Sequence, residues 1–141
     1  MSGKSRKPLR ISQAQYDRMR EDVSCCAPEE ACGIIAGKNG RAERVYVINN
    51  ALHSPKAFRM EAQEQIAAFL EIEKENQEVL AIYHSHPSGP EVPSKTDVAE
   101  FAFPGVLTMI WFPKAGSWNC RVFLIEGPTM FEVELIIKED E

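Results

Sequence analysis

The sequence has 141 residues, of which 44% are hydrophobic and 26% are charged, with a mean hydropathy of -0.28. This composition is typical of one soluble globular domain and excludes a disordered chain. Acidic residues outnumber basic ones, for a formal net charge of -5, although the first ten residues are basic. The acidic remainder argues against a nucleic-acid-binding protein, because that function requires a basic face.

The beginning of the chain and the cysteines allow further predictions about order, location and metal binding. We expect residues 1–10 to form a basic, disordered tail and residues 11–141 to form the folded domain, because terminal segments usually fray. No segment approaches the roughly 18 consecutive apolar residues of a membrane span, and no signal peptide is recognisable, so we expect a cytoplasmic protein that does not act at a membrane. The four cysteines lack the spacing of a zinc knuckle or a dithiol motif.

The first half of the chain predicts a helix followed by a hairpin. A capping box opens the helix, which is predicted over 12–23. The Asn39-Gly40 pair is typical of a tight turn between strands. The flanking segments, 31–37 and 41–49, are therefore predicted to be paired strands, and the first is apolar enough to be buried.

The second half alternates helices and strands. Predicted in chain order are a brief strand at 58–60, a helix over 61–77, a strand over 79–84, a short helix over 94–103, and strands over 107–112, 118–125 and 130–137. Because hairpins and helical crossovers both occur, this order predicts a single α/β domain with a mixed β-sheet flanked by helices.

Residues that can bind a metal or transfer a proton cluster around the strand that ends near residue 84. His84 and His86 are two positions apart, so both rings point to the same side of an extended chain. Asp97 follows in the predicted short helix. Two imidazoles and a carboxylate suit zinc and leave a fourth position for water, whose pKa the metal lowers to about 7. Glu30, just before the first buried strand, is the leading candidate for the general base.

Each of these residues has an ordinary structural interpretation when taken alone. The run from Ser94 to Asp97 is also a capping-box pattern, which makes Asp97 a candidate helix cap. Histidine pairs are common on surfaces, Glu30 is one of 21 acids, and His53 fits no spacing and is expected to be a solvated loop residue. The joint arrangement is what favours a metal site.

The arrangement resembles the JAMM motif of the MPN-plus, or JAB, zinc metalloproteases. The motif residues are Glu30, the run His84-Ser85-His86-Pro87, and then Ser94 and Asp97. The similarity extends over roughly residues 11–122 and is strongest to the small stand-alone prokaryotic members. It implies a single MPN domain of the cytidine-deaminase-like fold, with a mixed sheet flanked by helices.

The resemblance also implies a role for each motif residue. His84, His86 and Asp97 would be the Zn²⁺ ligands. Glu30 would take the proton from the zinc-bound water and pass it to the leaving amine. Ser94 would donate a hydrogen bond to the oxyanion.

The implied substrate is a ubiquitin-like protein, cut after its C-terminal Gly-Gly. For a chain this short, without the insertions of eukaryotic members, the expected partner is a sulfur carrier of the ThiS/MoaD type. Its tail would lie as an added strand along residues 49–60. No nucleic-acid partner is expected, and the sequence does not indicate the oligomeric state.

Alternatives of the same and of a different class stay open. The loop after His86 also resembles RadC-like members, and a tail- or cell-wall-associated JAB peptidase has the same fold. A non-catalytic module that binds a ubiquitin-like partner is the alternative from a different class. The open coordination position and Glu30 favour the enzyme.

Overall fold

Eight strands of one sheet and two helices are found in residues 7–95 and 104–139, the part of the chain that the computed structural model describes. The helices are α1 (Gln13–Cys26) and α2 (Ala62–Lys74). The strands are β1 (Leu9–Ser12), β2 (Cys32–Lys38), β3 (Arg41–Ile48), β4 (Glu78–Ser85), β5 (Leu107–Lys114), β6 (Ser117–Glu126), β7 (Thr129–Val133) and β8 (Leu135–Lys138).

The sheet has the strand order β7-β6-β5-β4-β2-β3-β1-β8. Strand β4 runs parallel to β5, and β1 runs parallel to both β3 and β8, whereas the hairpin-linked neighbours and the β2–β4 pair are antiparallel. The predicted mixed α/β sheet is therefore confirmed. Among the described residues, neither helix combines the length and the hydrophobicity needed to cross a membrane.

The two helices cover opposite faces of the sheet. On one face, Val23 of α1 packs in a buried cluster with Ile35 of β2. On the other, Ile72 of α2 packs in a second cluster with Ile34 of the same strand. Because successive side chains of a strand point to opposite faces, neighbouring residues of β2 contribute to different clusters.

The predicted starts of α1 and of the first hairpin are both confirmed. The Ser12 hydroxyl accepts a hydrogen bond from the Gln15 amide at 3.0 Å, and the Gln15 side chain accepts one from the Ser12 amide at 2.8 Å. Such a cap stabilises a helix by about 1 kcal/mol. Asn39 and Gly40 join β2 to β3 with positive φ angles of 54° and 77°, as a tight hairpin turn requires.

The expected disordered tail over residues 1–10 is wrong for its last residues. Leu9 and Arg10 belong to β1, which pairs in parallel with β8, and the Leu9 side chain is fully buried. Residues 1–6 lie outside the described residues. The partner of β1 lies near the other end of the chain, so local sequence patterns could not reveal the pairing.

Leu9→Ala tests whether β1 is part of the fold. We expect the free energy of unfolding to fall by about 2–5 kcal/mol, because the change leaves a cavity in the core. The measurement is urea unfolding followed by circular dichroism, with Arg10→Ala as the exposed control from the same strand. Equal stability of both variants would show that this segment does not pack on the sheet.

The predicted strand over residues 130–137 is two strands in the structure. Only Glu134 separates β7 from β8, yet these strands lie at opposite ends of the strand order. The sheet must therefore curve until its two edges approach each other. The sequence does not reveal this division because the run contains no glycine or proline that would mark a break at Glu134.

Three further predictions have different outcomes. The brief strand expected at 58–60 is reduced to an isolated bridge between Asn50 and Met60. The helix expected over 94–103 falls almost entirely outside the described residues, which stop at Lys95 and resume at Pro104. The helix predicted over 61–77 is confirmed as α2, which starts one residue later and ends three residues earlier than predicted.

Candidate active site

The end of β4 brings two buried histidines together. His84 belongs to β4 and His86 follows it directly, and both side chains are buried on the face that α2 covers. Their Nε2 atoms lie 3.1 Å apart, and the ring centroids are separated by 4.9 Å. Both imidazoles thus point to one position, as the strand periodicity predicts.

The antiparallel pairing of β2 with β4 adds a carboxylate to this position. Cys32 at the start of β2 is the register partner of His84. Continuing that register by two residues places Glu30 beside His86. The ligand atoms of Glu30, His84 and His86 all lie within 4.8 Å of one another, and Glu30 is only 5% exposed.

The loop after β4 fixes the orientation of the His86 ring. Its Nδ1 lies 2.7 Å from the carbonyl oxygen of Pro90. A carbonyl oxygen can only accept, so Nδ1 donates this hydrogen bond, and Nε2 is the ring atom turned toward His84. Gly89 makes the tight turn possible with a φ of 76°, and its amide donates to the His86 carbonyl at 2.8 Å.

An aromatic side chain orients the other imidazole. Phe58 stacks on the His84 ring with the centroids 4.6 Å apart and the planes inclined by 27°. Phe58 comes from the loop between β3 and α2 and is itself only 3% exposed. One histidine is therefore positioned by a hydrogen bond and the other by packing.

A serine between the two histidines ties β4 to the start of β2. The Ser85 hydroxyl accepts a hydrogen bond from the Ala31 amide at 2.8 Å, and the Ser85 amide donates to the Ala31 carbonyl at 3.1 Å. The next amide, that of His86, donates to the Trp111 carbonyl on β5 at 2.7 Å. These bonds fix the spacing between the histidines and the backbone next to Glu30.

The opposite face of β4 anchors the same strand to α1. Tyr83 is fully buried, and its hydroxyl donates to the Asp22 carboxylate at 2.8 Å. Burial is the main cause that raises the pKa of both groups above their ordinary values. Gly33 lies against this ring, where a Cβ would come within 2.2 Å of Tyr83 Cε2, so the close approach requires glycine.

The donor set fits a zinc ion. Two nitrogens at the usual zinc distance in a tetrahedral site lie about 3.3 Å apart, close to the 3.1 Å between the histidine Nε2 atoms. A ring Nδ1–H that donates to a backbone carbonyl is also the usual support of a zinc-binding histidine. Glu30, His84 and His86 form a group that could hold a metal, within the described residues.

The remaining predicted site residues lie in or beyond the loop after His86. Ser94 is partly buried at the end of this loop. Val92, two residues earlier, packs against the apolar cluster formed by Ile110, Phe112 and Phe123, and so anchors the loop to β5 and β6. Asp97, the predicted third ligand, lies outside the described residues.

One buried cysteine lies beside the site, and the third histidine is solvated as the sequence predicts. Cys32 lies next to His84, but burial raises the pKa of its thiol to about 12, and the sulfur donates to the Ile48 carbonyl at 3.5 Å. It is therefore a neutral packing group at physiological pH. The His53 side chain is 73% exposed in a loop, where Nδ1 lies 3.2 Å from the Glu29 carboxylate.

Three contributors were not identified as site residues from the sequence. Ser85 stands in the sequence only as part of the resemblance motif, and neither Phe58 nor the Pro90 carbonyl carries a sequence signal for the site. Strand alternation does indicate that Ser85 points away from the histidines. The stacking of Phe58 depends on the path of the loop after β3, for which the sequence has no periodic signal.

Comparison with known proteins identifies a family and several relatives that match most of the chain. The sequence model of the family described as "Prokaryotic homologs of the JAB domain" matches residues 12–124. The desampylase of Pyrococcus furiosus is 44% identical over 128 residues, which cover 91% of this chain and 90% of the relative. A protein of Thermus thermophilus named "Probable TtuB-protein conjugate cleaving protease" is 40% identical over 132 residues, covering 92% and 82%. The CysO-cysteine peptidase of Mycobacterium tuberculosis is 40% identical over 73 residues, half of each chain.

Solved structures share the architecture. A solution structure of a Desulfitobacterium hafniense protein superposes with a TM-score of 0.82 at 31% identity and covers 94% of both chains. A JAB1/MPN domain protein from Archaeoglobus fulgidus superposes with a TM-score of 0.61 at 20% identity, over 94% of this chain and 99% of the other. The second likeness concerns the fold alone.

Proposed function

Because the chain belongs to the family of prokaryotic homologs of the JAB domain, we propose that it is a zinc-dependent peptidase or isopeptidase that cuts after the C-terminal Gly-Gly of a ubiquitin-like sulfur carrier of the ThiS/MoaD type. The observation that carries this proposal is the buried group of Glu30, His84 and His86, with ligand atoms within 4.8 Å of one another. Two imidazoles and a buried acid at one point are the groups that metal-assisted hydrolysis requires.

The names of the relatives support the substrate class. They describe a desampylase, a peptidase for CysO-cysteine and a protease for TtuB-protein conjugates. All three are hydrolytic activities, and the first and third relatives align with more than four fifths of their own length. We transfer to this chain the chemistry that they share, which is cleavage at the C-terminus of a small carrier protein.

His84, His86 and Asp97 are the proposed zinc ligands. The His86 ring, oriented by the Pro90 carbonyl, and the His84 ring, oriented by Phe58, have their Nε2 atoms 3.1 Å apart. Asp97 would supply the third ligand from the segment after Lys95. When bound, the ion supplies Lewis-acid polarisation and lowers the pKa of a coordinated water to about 7.

Glu30 and Ser94 are the proposed catalytic groups. The Glu30 carboxylate would accept the proton of the attacking water and deliver it to the nitrogen of the leaving amine as the C–N bond breaks. Its burial keeps bulk water away from this transfer. The Ser94 hydroxyl, at the end of the anchored loop, would donate to the oxyanion of the tetrahedral intermediate.

The tail of the carrier is proposed to lie along residues 49–60. This segment leaves β3 beside the site and returns through the Asn50–Met60 bridge, and it contributes Phe58 to the His84 stack. An extended tail adds to such a segment through main-chain hydrogen bonds. Leu52, 40% exposed, offers an apolar contact next to it.

Cleavage of a defined fusion tests the substrate class. We expect the zinc-loaded protein to release a ThiS/MoaD-type carrier ending in Gly-Gly from a carrier–peptide fusion, observed by mass spectrometry. A peptide with the same cleavage sequence but no carrier body should be cut much more slowly, because only the fusion adds contacts of the folded carrier to those of its tail. Tight binding of the fusion without cleavage would indicate a non-catalytic module.

A further inference from the structure

The side chain of Asn50 lies buried directly after β3, with every hydrogen-bonding position occupied. Its Nδ2 donates to the carbonyl oxygens of Glu30 and Ala57, both at 3.0 Å. Its Oδ1 accepts from the amides of Leu52 at 3.0 Å and Arg59 at 3.1 Å. An amide has two donor hydrogens and two acceptor lone pairs, so these four bonds saturate it, and an acid could not make the two donor contacts.

One of these bonds reaches the backbone of the proposed base. Asn50 holds the Glu30 carbonyl, while the carbonyl of Ser54 in the following loop accepts from the Glu30 amide at 2.9 Å. Both main-chain polar groups of Glu30 are therefore bonded to the segment that begins with Asn50. The position of the Glu30 carboxylate depends on that segment.

Two other hydrogen bonds of Asn50 hold the residues on either side of Phe58. The Ala57 carbonyl and the Arg59 amide both bond to Asn50, and the ring between them stacks on His84 at 4.6 Å. Asn50 is only 7% exposed and Phe58 only 3%, so water does not compete readily for these contacts. One side chain thus links the acid and one histidine of the site.

We propose that Asn50 is a positioning residue that sets the distance between the Glu30 carboxylate and the ring of His84. It acts through the Glu30 backbone and through Phe58. The catalytic part of this inference rests on the proposed function, because it concerns Glu30 as the base. A misplacement of about 1 Å between catalytic groups can cost roughly 100-fold in rate, and supporting contacts of metal ligands typically affect affinity or activity by about 10–100-fold.

Asn50→Asp is the sharpest variant, since it keeps the shape and the acceptor oxygen but turns an oxygen toward the carbonyls of Glu30 and Ala57. We expect kcat on the carrier fusion to fall by about 10–100-fold with KM within about twofold. Zinc affinity, measured by competition with a chromophoric chelator, should weaken by about tenfold. In the zinc-free protein, the amides of Leu52 and Arg59 should exchange with deuterium faster, while those of β5 and β6 stay unchanged.

Two controls separate positioning from general destabilisation. Asn119→Asp makes the same chemical change at the β5–β6 hairpin, where the amide also donates to two backbone carbonyls. Val133→Ala removes core volume far from the loop. Both should keep wild-type kcat and zinc affinity in their folded fraction.

The proposal would be overturned if Asn50→Asp kept the wild-type kcat, the wild-type zinc affinity and the wild-type rates of amide hydrogen exchange at Leu52 and Arg59. A kcat loss that Val133→Ala shares at equal loss of stability would overturn it too. If the wild-type protein cleaves no carrier fusion, the proposed function fails instead. Zinc affinity and amide hydrogen exchange in the loop then still decide whether Asn50 positions the site, because neither measurement needs a substrate.

Discussion

Glu30→Gln should bind zinc and fold like the wild-type protein, yet hydrolyse a carrier–peptide fusion about 10²–10⁴-fold more slowly. The amide has the size of the carboxylate but cannot accept the proton of the attacking water. Glu30 is buried within 4.8 Å of both histidine ligand atoms, so no other acid of the described residues occupies its place in the group. The measurement is kcat from initial rates, with bound zinc determined on the same sample.

The neighbouring acid provides the matched control. The Glu29 side chain is 42% exposed and lies 3.2 Å from Nδ1 of the solvated His53, so Glu29→Gln should leave kcat within about twofold. Unchanged turnover in Glu30→Gln would contradict the assignment of Glu30 as the general base. Loss of zinc together with activity would make Glu30 a metal ligand rather than the base.

His84→Ala and Asp97→Ala should each reduce bound zinc from near one ion per chain to near none. A buried site that loses one of three protein ligands also loses the geometry that holds the ion. The measurement is metal content by atomic emission after dialysis against a weak chelator, with folding checked by circular dichroism.

His53→Ala is the corresponding control, because this imidazole is solvated and belongs to the loop after β3. It should keep its zinc. Retention of full zinc by both ligand variants would contradict the assignment of His84 and Asp97. Loss of zinc in His84→Ala alone would leave the histidine pair as ligands and exclude the aspartate.

Local sequence patterns predicted much of this fold. The capping box at Ser12, the turn at Asn39-Gly40 and the apolar run of β2 each depend on interactions within a few residues, and each is confirmed. The predictions that failed concern segments whose strand partners lie far away in the sequence. Leu9 is buried because β8 lies beside it, and the strand over 130–137 divides because its halves join opposite edges of the sheet.

The same distinction applies to the site. His84 and His86 converge because alternate residues of a strand point to the same side, and their spacing of two residues already indicates this. The sequence suggests Glu30 as the base from its place just before the buried strand, but its approach to the histidines depends on the antiparallel register of β2 with β4, which local patterns do not specify. The supporting contacts of Phe58, Pro90 and Asn50 arise from loop paths, for which no periodic pattern exists.

We expect the buried histidine pair to bind a zinc ion directly, which X-ray absorption at the zinc edge of the loaded protein can measure. The spectrum should show two imidazole ligands with further oxygen ligands, all at about 2.0–2.2 Å. Sulfur scattering at about 2.3 Å, or a shell without imidazole, would contradict it.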